Sequence, residues 1–135
     1  MSTIDLLLKV DTNKLFRPEK QVEIKRLSEL AGEKVVFTCQ ALNASEIEEA
    51  TNNALTIKSD GEVDIKNNDM QLFVLLSGVK EPNLKSKELR EYYECLTPKD
   101  LINKLLLPGE VSHLYNTIND LSGFGKGQVE EIKNS

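Results

Sequence analysis

The chain has 135 residues, of which 39% are hydrophobic and 29% are charged, and its formal net charge at pH 7 is −5. This composition is typical of one globular domain rather than of a disordered or membrane-spanning chain, and the length allows a core without metal or disulfide support. The 22 acidic and 17 basic residues are mixed along the chain, so no basic face of the kind that nucleic-acid binders present is visible.

The first 18 residues predict a short helix followed by a linker arm. Ser2-Thr3-Ile4-Asp5 is a variant of the capping box, in which the serine hydroxyl accepts a first-turn amide and the aspartate suits the helix dipole. The helix should run to about Lys9, and the loop-forming stretch from Asp11 to Pro18 should separate it from the body. Because the apolar stretch contains an acidic residue and has no basic leader, it does not predict a secretory signal, and we expect a cytoplasmic protein.

Two stretches rich in strand-forming residues predict a β-hairpin or a small antiparallel sheet. The stretch from Gln21 to Leu27 begins with alternating apolar residues, and Lys34 to Ala41 places its apolar side chains on one face. Gly32 lies between them and can take the positive φ of a turn. Propensity alone also allows a helix through Lys25 to Leu30, so helix and strand both stay open for residues 21–30.

The next segment predicts a helix and then a minor hairpin. Ser45-Glu46-Ile47-Glu48 matches the capping box in full, and the helix it starts should end near Leu55. Residues 56–66 contain the turn signal Ser59-Asp60-Gly61, which indicates a small turn or a second hairpin.

Two further helices are predicted before the C-terminal third of the chain. Asn67 or Asn68 can cap a buried helix that stops at Gly78, favoured over a strand by its length. Ser86 can then cap the charged segment from Lys87 to Glu94.

The stretch from Thr97 to Phe124 carries the clearest pattern and predicts a helical hairpin. Thr97 can cap the first helix, with a proline at the first helical position. Pro108 interrupts the pattern, and Gly123 can close the second helix. Because both helices have an apolar stripe at helical period, the stripes should face each other or a shared core. We therefore expect an α+β fold, with a single domain over 19–124 between the arm and a flexible tail over 125–135.

Catalytic, cofactor and metal sites are not indicated. Cys39, Cys95 and His113 lack the spacing and number of a structural zinc set. The glycine-rich segment at 123–127 lacks the Walker pattern, since Asp120 stands where its first glycine is needed. We expect a protein that is not an enzyme and that uses no cofactor.

A helix-turn-helix is the alternative interpretation of the two C-terminal helices. The segment from Val111 to Leu121 would be its recognition helix, but that segment has no Lys or Arg to contact phosphates and base edges. A small DNA-binding regulator therefore stays the alternative to a non-enzymatic binding protein.

A series of short motifs occurs along the chain in a particular order. They are Phe37 to Leu42 leading into the Ser45 helix, Gln71-Leu72-Phe73-Val74, Val79-Lys80-Glu81-Pro82-Asn83-Leu84, Leu105-Leu106-Leu107-Pro108-Gly109-Glu110-Val111 and Leu121-Ser122-Gly123-Phe124. This series resembles the phage tail assembly chaperones of the PBSX prophage (XkdN-like) type, over roughly Phe16 to Phe124. The sequence departs from the family at Asn83, where an aspartate is expected.

The resemblance implies a non-enzymatic protein that binds the helical tape measure protein of a phage or prophage tail. Such a chaperone keeps the apolar surfaces of the tape measure from aggregating, helps tube subunits to polymerise around it and leaves the finished tail. The resemblance also implies the tail tube protein as a further partner, the bacterial host cytoplasm as the location and absence from the mature virion. Self-association is compatible with it, whereas nucleic acid and membrane are not expected partners.

Amphipathic helices can hold another helix in an apolar groove. We predict that the two C-terminal helices supply the residues that contact the partner, which are Leu101, Leu105, Val111, Leu114, Tyr115, Ile118 and Phe124.

Overall fold

The computed structural model of the protein describes residues 1–15, 17–57, 63–65 and 67–132. The elements follow in the order α1 Thr3–Leu7, β1 Glu19–Glu23, α2 Lys25–Ala31, β2 Val36–Gln40, α3 Ala44–Ala54, β3 Leu55–Ile57, β4 Val63–Ile65, α4 Asn67–Gly78, β5 Val79–Glu81, α5 Lys87–Tyr92, α6 Pro98–Leu105 and α7 Pro108–Asn119. A 3-10 turn at Thr12–Lys14 precedes β1, and a π-helical turn at Asp120–Phe124 follows α7. The predicted α+β fold is confirmed.

A three-stranded antiparallel sheet of order β1-β2-β5 forms one part of the domain. The register of the first pair runs from Glu19 opposite Gln40 to Glu23 opposite Val36. The small antiparallel sheet predicted near the start of the domain is thus confirmed. The third strand, β5, was not predicted, because three residues are too few to show an alternating pattern.

The connection between β1 and β2 is a helix, so the simple hairpin is wrong and the alternative is correct. The sequence of α2, KRLSELA, consists mainly of good helix formers. Gly32 ends the helix with φ of 79°, and its N–H donates to the Ser28 carbonyl at 2.9 Å. The Ser28 hydroxyl accepts the N–H of Val35 at 2.8 Å, which fixes the helix to the start of β2.

The second sheet is the minor hairpin, in which β3 and β4 pair antiparallel from Leu55 opposite Ile65 to Ile57 opposite Val63. The Ser59-Asp60-Gly61 turn signal lies outside the described residues.

The cap of α3 differs from the prediction. Asn43, two residues before Ser45, is the N-cap: its side chain accepts the Glu46 N–H at 2.9 Å, and the Glu46 carboxylate accepts the Asn43 N–H at 3.0 Å. Both pairs obey the capping-box spacing, but a cap at Asn43 starts the helix at Ala44 and so makes it two residues longer than a cap at Ser45 would.

The core is centred on α4, which packs against α3, α6 and α7. Between α4 and α7 the packing leaves no room for a side chain at Gly78, because an added Cβ would lie 2.5 Å from Cδ1 of Ile118. The buried residues of this core are Ile24, Phe37, Cys39, Leu42, Ala50, Leu72, Val74, Leu75, Val79, Leu84, Ile102, Leu106, Val111, Leu114 and Ile118.

The two C-terminal helices form with the predicted signals. Thr97 caps α6 by accepting the Asp100 N–H at 3.2 Å, and Gly123, with φ of 99°, lies in the turn that closes the second helix. Since α6 and α7 each contact α4, their stripes face a shared core. The hydroxyl of Ser122 accepts the Leu42 N–H at 2.9 Å and so joins the end of this region to the end of β2.

The ends of the chain are exposed. The predicted capping box of α1 is present, with Asp5 N–H donating to the Ser2 hydroxyl at 3.1 Å, and α1 contains no buried residue. Residues 125–132 form no helix or strand. The flexibility of the tail and the boundaries at residues 18 and 124 stay predictions. Across the described ranges, none of the helices combines the length and apolar character needed to cross a membrane.

Candidate functional site

The seven residues predicted to contact a partner fall into two groups. Four of them lie in the core with at most 5% of their surface exposed, namely Leu101, Val111, Leu114 and Ile118. The other three reach the surface: Leu105 and Tyr115 are half-buried, and Phe124 is 69% exposed. In this conformation the first group stabilises the fold, whereas partner binding by the second group stays a prediction.

An apolar groove opens between α2, the start of β2 and α5. Its volume is about 480 Å³, within the range of about 300–1,000 Å³ typical of ligand pockets. The groove is lined by Leu27, Leu30, Ala31, Val35, Phe37, Pro82, Leu89, Tyr92, Tyr93 and Leu105. None of these ten residues is charged, so the groove suits an apolar ligand.

The two walls of the groove are helical stripes. On α2 the lining residues begin with Leu27 and continue three and four positions later, and the same spacing begins with Leu89 on α5 and ends at its C-cap, Tyr93. This spacing places the three residues of each set on one face of their helix. Phe37, 1% exposed, forms the floor, whereas Leu30 and Tyr92 are 75% and 78% exposed at the rims. A ligand could therefore bury large apolar side chains that the fold leaves in water.

The wall formed by α2 is fixed by Arg26. Its guanidinium donates to both carboxylate oxygens of Glu110, at 2.8 and 3.2 Å, and to the Leu105 carbonyl at 2.8 Å. Glu110 also accepts the N–H of Leu107 at 2.7 Å. One carboxylate thus joins α2 to the break between α6 and α7.

The same contact determines the charge state of the pair. The hydrogen bond from Arg26 holds the pKa of the Glu110 carboxyl below its usual value, and partial burial opposes this only in part. The hydrogen bond to Glu110 raises the pKa of Arg26. Both groups are therefore ionised at neutral pH.

The wall formed by α5 is fixed at both ends. Ser86 caps the helix by accepting the Leu89 N–H at 3.3 Å. At the other end, the ammonium of Lys104 on α6 donates to the Tyr93 carbonyl at 2.7 Å. The rings of Tyr92 and Tyr93 meet edge to face, with centroids 4.9 Å apart. Polar contacts to the backbone of Leu89, Tyr93 and Leu105 thus hold the walls of the groove in place.

A second apolar surface lies in the N-terminal arm (residues 1–18), within residues 1–15. Its exposed apolar side chains are Met1, Ile4, Leu6, Leu7, Leu8, Val10 and Leu15. The domain therefore leaves seven apolar side chains of this segment exposed.

Sequence reasoning missed both of these surfaces as sites. The stripe of Ile4, Leu7 and Leu8 was visible in the sequence, but its exposure was not. The groove is lined by residues of several elements that lie far apart in the sequence, and only the folded structure brings these elements together.

Polar chemistry is sparse. In the parts of the chain that the structure describes, no group of three or more His, Cys, Asp and Glu residues is placed to hold a metal ion. The exposed residues of the former recognition-helix candidate include His113, Asn116 and Asp120, and α7 contains no Lys or Arg. A DNA-binding role therefore gains no support from the structure.

A comparison with protein-family models matches residues 4–133 to the phage XkdN-like tail assembly chaperone protein family. The match includes the groove and all but the first three residues of the arm. The expected family resemblance is thereby confirmed.

The protein YqbN is similar to this chain in sequence and in structure. The uncharacterized protein YqbN of Bacillus subtilis (strain 168) is 30% identical over 113 residues, an alignment that covers 78% of this chain and 76% of YqbN. The crystal structure of the protein YqbN superposes with a TM-score of 0.60 and 22% identity, covering 79% of this chain and 87% of the other. The structural likeness supports the fold.

Proposed function

Because the chain belongs to the XkdN-like family of phage tail assembly chaperones, we propose that it binds a helical segment of the tape measure protein in the apolar groove. The bound chaperone keeps the apolar surfaces of the tape measure from aggregating while tube subunits polymerise around it. The observation that supports this role is the groove itself, since its ten lining residues carry no charge and two rim residues are largely exposed.

The shape of the groove suits a helix. Its two walls are amphipathic helices, and a third amphipathic helix placed between them would bury its apolar stripe against Leu30, Leu89 and Tyr92. This is the helix-in-groove mode of peptide recognition, in which apolar anchors at positions i, i+3, i+4 and i+7 supply most of the contact. The half-buried Leu105, one of the residues predicted from sequence, lies in the same groove.

Binding without a covalent step suits a chaperone that must leave. In this proposal the contact is made of a few apolar anchors, and tube subunits that polymerise around the tape measure displace the chaperone. We place this activity in the host cytoplasm, before the mature virion forms, with the tail tube protein as a second partner.

The test is co-expression with the tape measure protein from the same genome. The wild-type chain should keep the tape measure soluble and co-purify with it. Leu30→Asp places a charge at the rim of the groove without disturbing the core, and we expect at least about tenfold less co-purified tape measure. Leu96→Asp is the matched control, because Leu96 is 89% exposed and does not line the groove.

Two results would contradict the proposal. If the wild-type chain neither binds the tape measure nor raises its solubility, the chaperone role fails. If Leu30→Asp binds as well as Leu96→Asp, the role survives but the groove is not its site.

A further inference from the structure

The two helices that form the walls of the groove are closed by different residues. A residue in the left-handed region follows each helix, with φ of 79° at Gly32 after α2 and φ of 57° at Glu94 after α5. Glycine has no Cβ and adopts this conformation without strain, whereas the Cβ of any other residue crowds the following carbonyl oxygen. The end of α5 is therefore strained, and the end of α2 is not.

The turn after α5 is a Schellman motif, in which glycine is the usual left-handed residue. The N–H of Glu94 donates to the Glu91 carbonyl at 3.2 Å, and the N–H of Cys95 donates to the Arg90 carbonyl at 2.8 Å. Both hydrogen bonds require the positive φ of Glu94. The last turn of α5 therefore forms at the expense of strain, which is released when the turn opens.

The segment that carries α5 lies on the surface between two buried residues. Leu84 and Leu101 are at most 1% exposed, and no residue is buried in the described stretch 85–100 between them. The helix spans six residues, which is shorter than a helix that is stable alone in water. It therefore depends on its neighbours, although it adds no buried side chain to the core.

The contacts that fix the two walls also differ. The Ser86 cap belongs to the same segment as α5 and moves with it. The contact of Lys104 on α6 with the Tyr93 carbonyl is a single hydrogen bond from an exposed side chain, which water can replace at a small net cost. On α2, by contrast, Arg26 donates three hydrogen bonds, two of them to Glu110.

We propose that α5 is a movable wall of the groove, in which residues 85–96 open away from the domain as one unit while α2 and the core stay folded. Leu84 and Leu101 are the fixed points of this motion. Openings that expose little buried apolar surface cost less free energy than global unfolding.

The motion changes the width of the groove. When α5 opens, Leu89 and Tyr93 separate from Leu27 and Phe37, which line the opposite wall and the floor. The admission of a tape measure helix by this opening rests on the proposed function. The opening itself is measured with the protein alone, so the two proposals fail separately.

The first experiment is native-state hydrogen exchange followed by NMR at urea concentrations below the unfolding transition. The reporters are the amides of Arg90, Tyr93 and Cys95, which donate hydrogen bonds within the segment. After correction for intrinsic rates, we expect them to exchange at least about tenfold faster than the hydrogen-bonded amides of α2. Their exchange should depend weakly on urea, whereas that of the α7 amides should depend strongly, because global unfolding exposes far more surface.

A pair of substitutions at the two left-handed residues tests the role of strain. Glu94→Gly removes the strain and should slow the exchange of the α5 amides about fivefold. Gly32→Ala adds strain at the end of α2 and should speed the exchange of the α2 amides by a similar factor. It should leave the α5 amides unchanged, because the added strain is present whether α5 is closed or open.

A second pair of substitutions tests the contact from α6. Lys104→Met removes the hydrogen bond to Tyr93 and should speed the exchange of the α5 amides at least about threefold. Lys99→Met is the matched control on the same helix, because its ammonium contacts Asp69 of α4 at 3.1 Å instead. The α5 amides should exchange at the wild-type rate in this control, and circular dichroism verifies that all four variants are folded.

Three outcomes would overturn the inference. Exchange of the α5 amides with the urea dependence of the α7 amides shows that α5 opens only when the domain unfolds. Faster exchange of the α5 amides in Gly32→Ala or Lys99→Met shows that the two walls or the core open together with it. An unchanged rate in Glu94→Gly shows that the left-handed residue does not control the opening.

Discussion

Two regions of the molecule carry apolar side chains at helical spacing. One is the packed seam between α4 and α7, where these side chains are buried, and the other is the N-terminal arm, where they are exposed. On α7, Leu114 and Ile118 are fully buried against α4, whereas on α1 the equivalent stripe of Ile4, Leu7 and Leu8 is exposed. A stripe at helical period predicts a helix and the direction of its apolar face. It does not predict what covers that face, which depends on how the rest of the chain fills the core.

The difference has a physical origin in length and connection. The helix α7 spans 12 residues and follows α6 after a two-residue break. Because α6 is itself packed on the core, this short connection holds the stripe of α7 against the core. The helix α1 spans five residues and is separated from β1 by a linker of its own. A short, loosely connected helix gains little from the core and can serve a partner instead.

The largest effect should come from truncating the buried stripe and comparing it with the exposed one. Leu114→Ala removes a side chain with no exposed surface and should lower the free energy of unfolding by about 2–5 kcal/mol, through lost transfer energy and the cavity left behind. Leu8→Ala removes a side chain that is 79% exposed and should change it by less than about 0.5 kcal/mol. Urea denaturation followed by circular dichroism measures both.

Equal effects of these two substitutions would contradict the comparison. A large cost of Leu8→Ala at low protein concentration would mean that the arm packs against its own domain.

The next largest effect on stability should come from adding a methyl group where α4 packs against α7. In Gly78→Ala the added methyl group would meet the side chain of Ile118, three of whose atoms lie 2.5–2.8 Å away. Overpacking of this kind should cost about 1–3 kcal/mol. Gly109→Ala is the matched control, because nothing lies within 4 Å of its added methyl group, and the lower entropy of the unfolded chain should make it neutral or stabilising by up to about 1 kcal/mol. Thermal unfolding of the two variants separates these signs, and a stable Gly78→Ala would show that the two helices can move apart.

A smaller effect on the free energy of unfolding is expected at the contact between Arg26 on α2 and Glu110 on α7. Glu110→Gln removes the charge that Arg26 contacts on α2, and since the pair is partly exposed we expect a loss of about 1 kcal/mol at pH 7. The pKa of Glu110 is lowered in the folded protein, so its stabilising contribution is fully present above the ordinary carboxyl pKa and is lost as pH falls through the folded value.

Denaturant titrations at several pH values test this linkage. The difference in unfolding free energy between wild type and Glu110→Gln should be constant from pH 7 to about pH 5.5 and should shrink below the ordinary value of 4.5. A difference that grows on acidification would mean that another group responds to the substitution.

The sequence predicted some elements of the fold correctly and missed others. Local signals were sufficient where one side chain decides the backbone, as with Ser2, Thr97 and Gly123. They failed where two local solutions compete, as at Asn43 and Ser45, or where three residues pair with a distant strand, as in β5.

The candidate site was less predictable than the fold. Of the seven residues proposed from sequence, Leu105 lines the groove and four lie in the core. The groove combines Leu27, Phe37 and Leu89, which belong to three elements, and only the packing of those elements brings them together. Long-range juxtaposition of this kind leaves no periodic signal in a single sequence.

The smallest change, a chemical label, separates the covered and uncovered regions without altering the fold. Cys39 on β2 has no exposed surface, and burial raises the pKa of its thiol to about 11, whereas Cys95, after α5, is partly exposed. Because the thiolate is the reactive form, Cys95 should react with a thiol reagent at pH 8 while Cys39 should react only as the chain unfolds. Mass spectrometry of the labelled peptides in rising urea measures both rates, and a Cys39 that is labelled in native buffer as fast as Cys95 would show that the sheet opens without global unfolding.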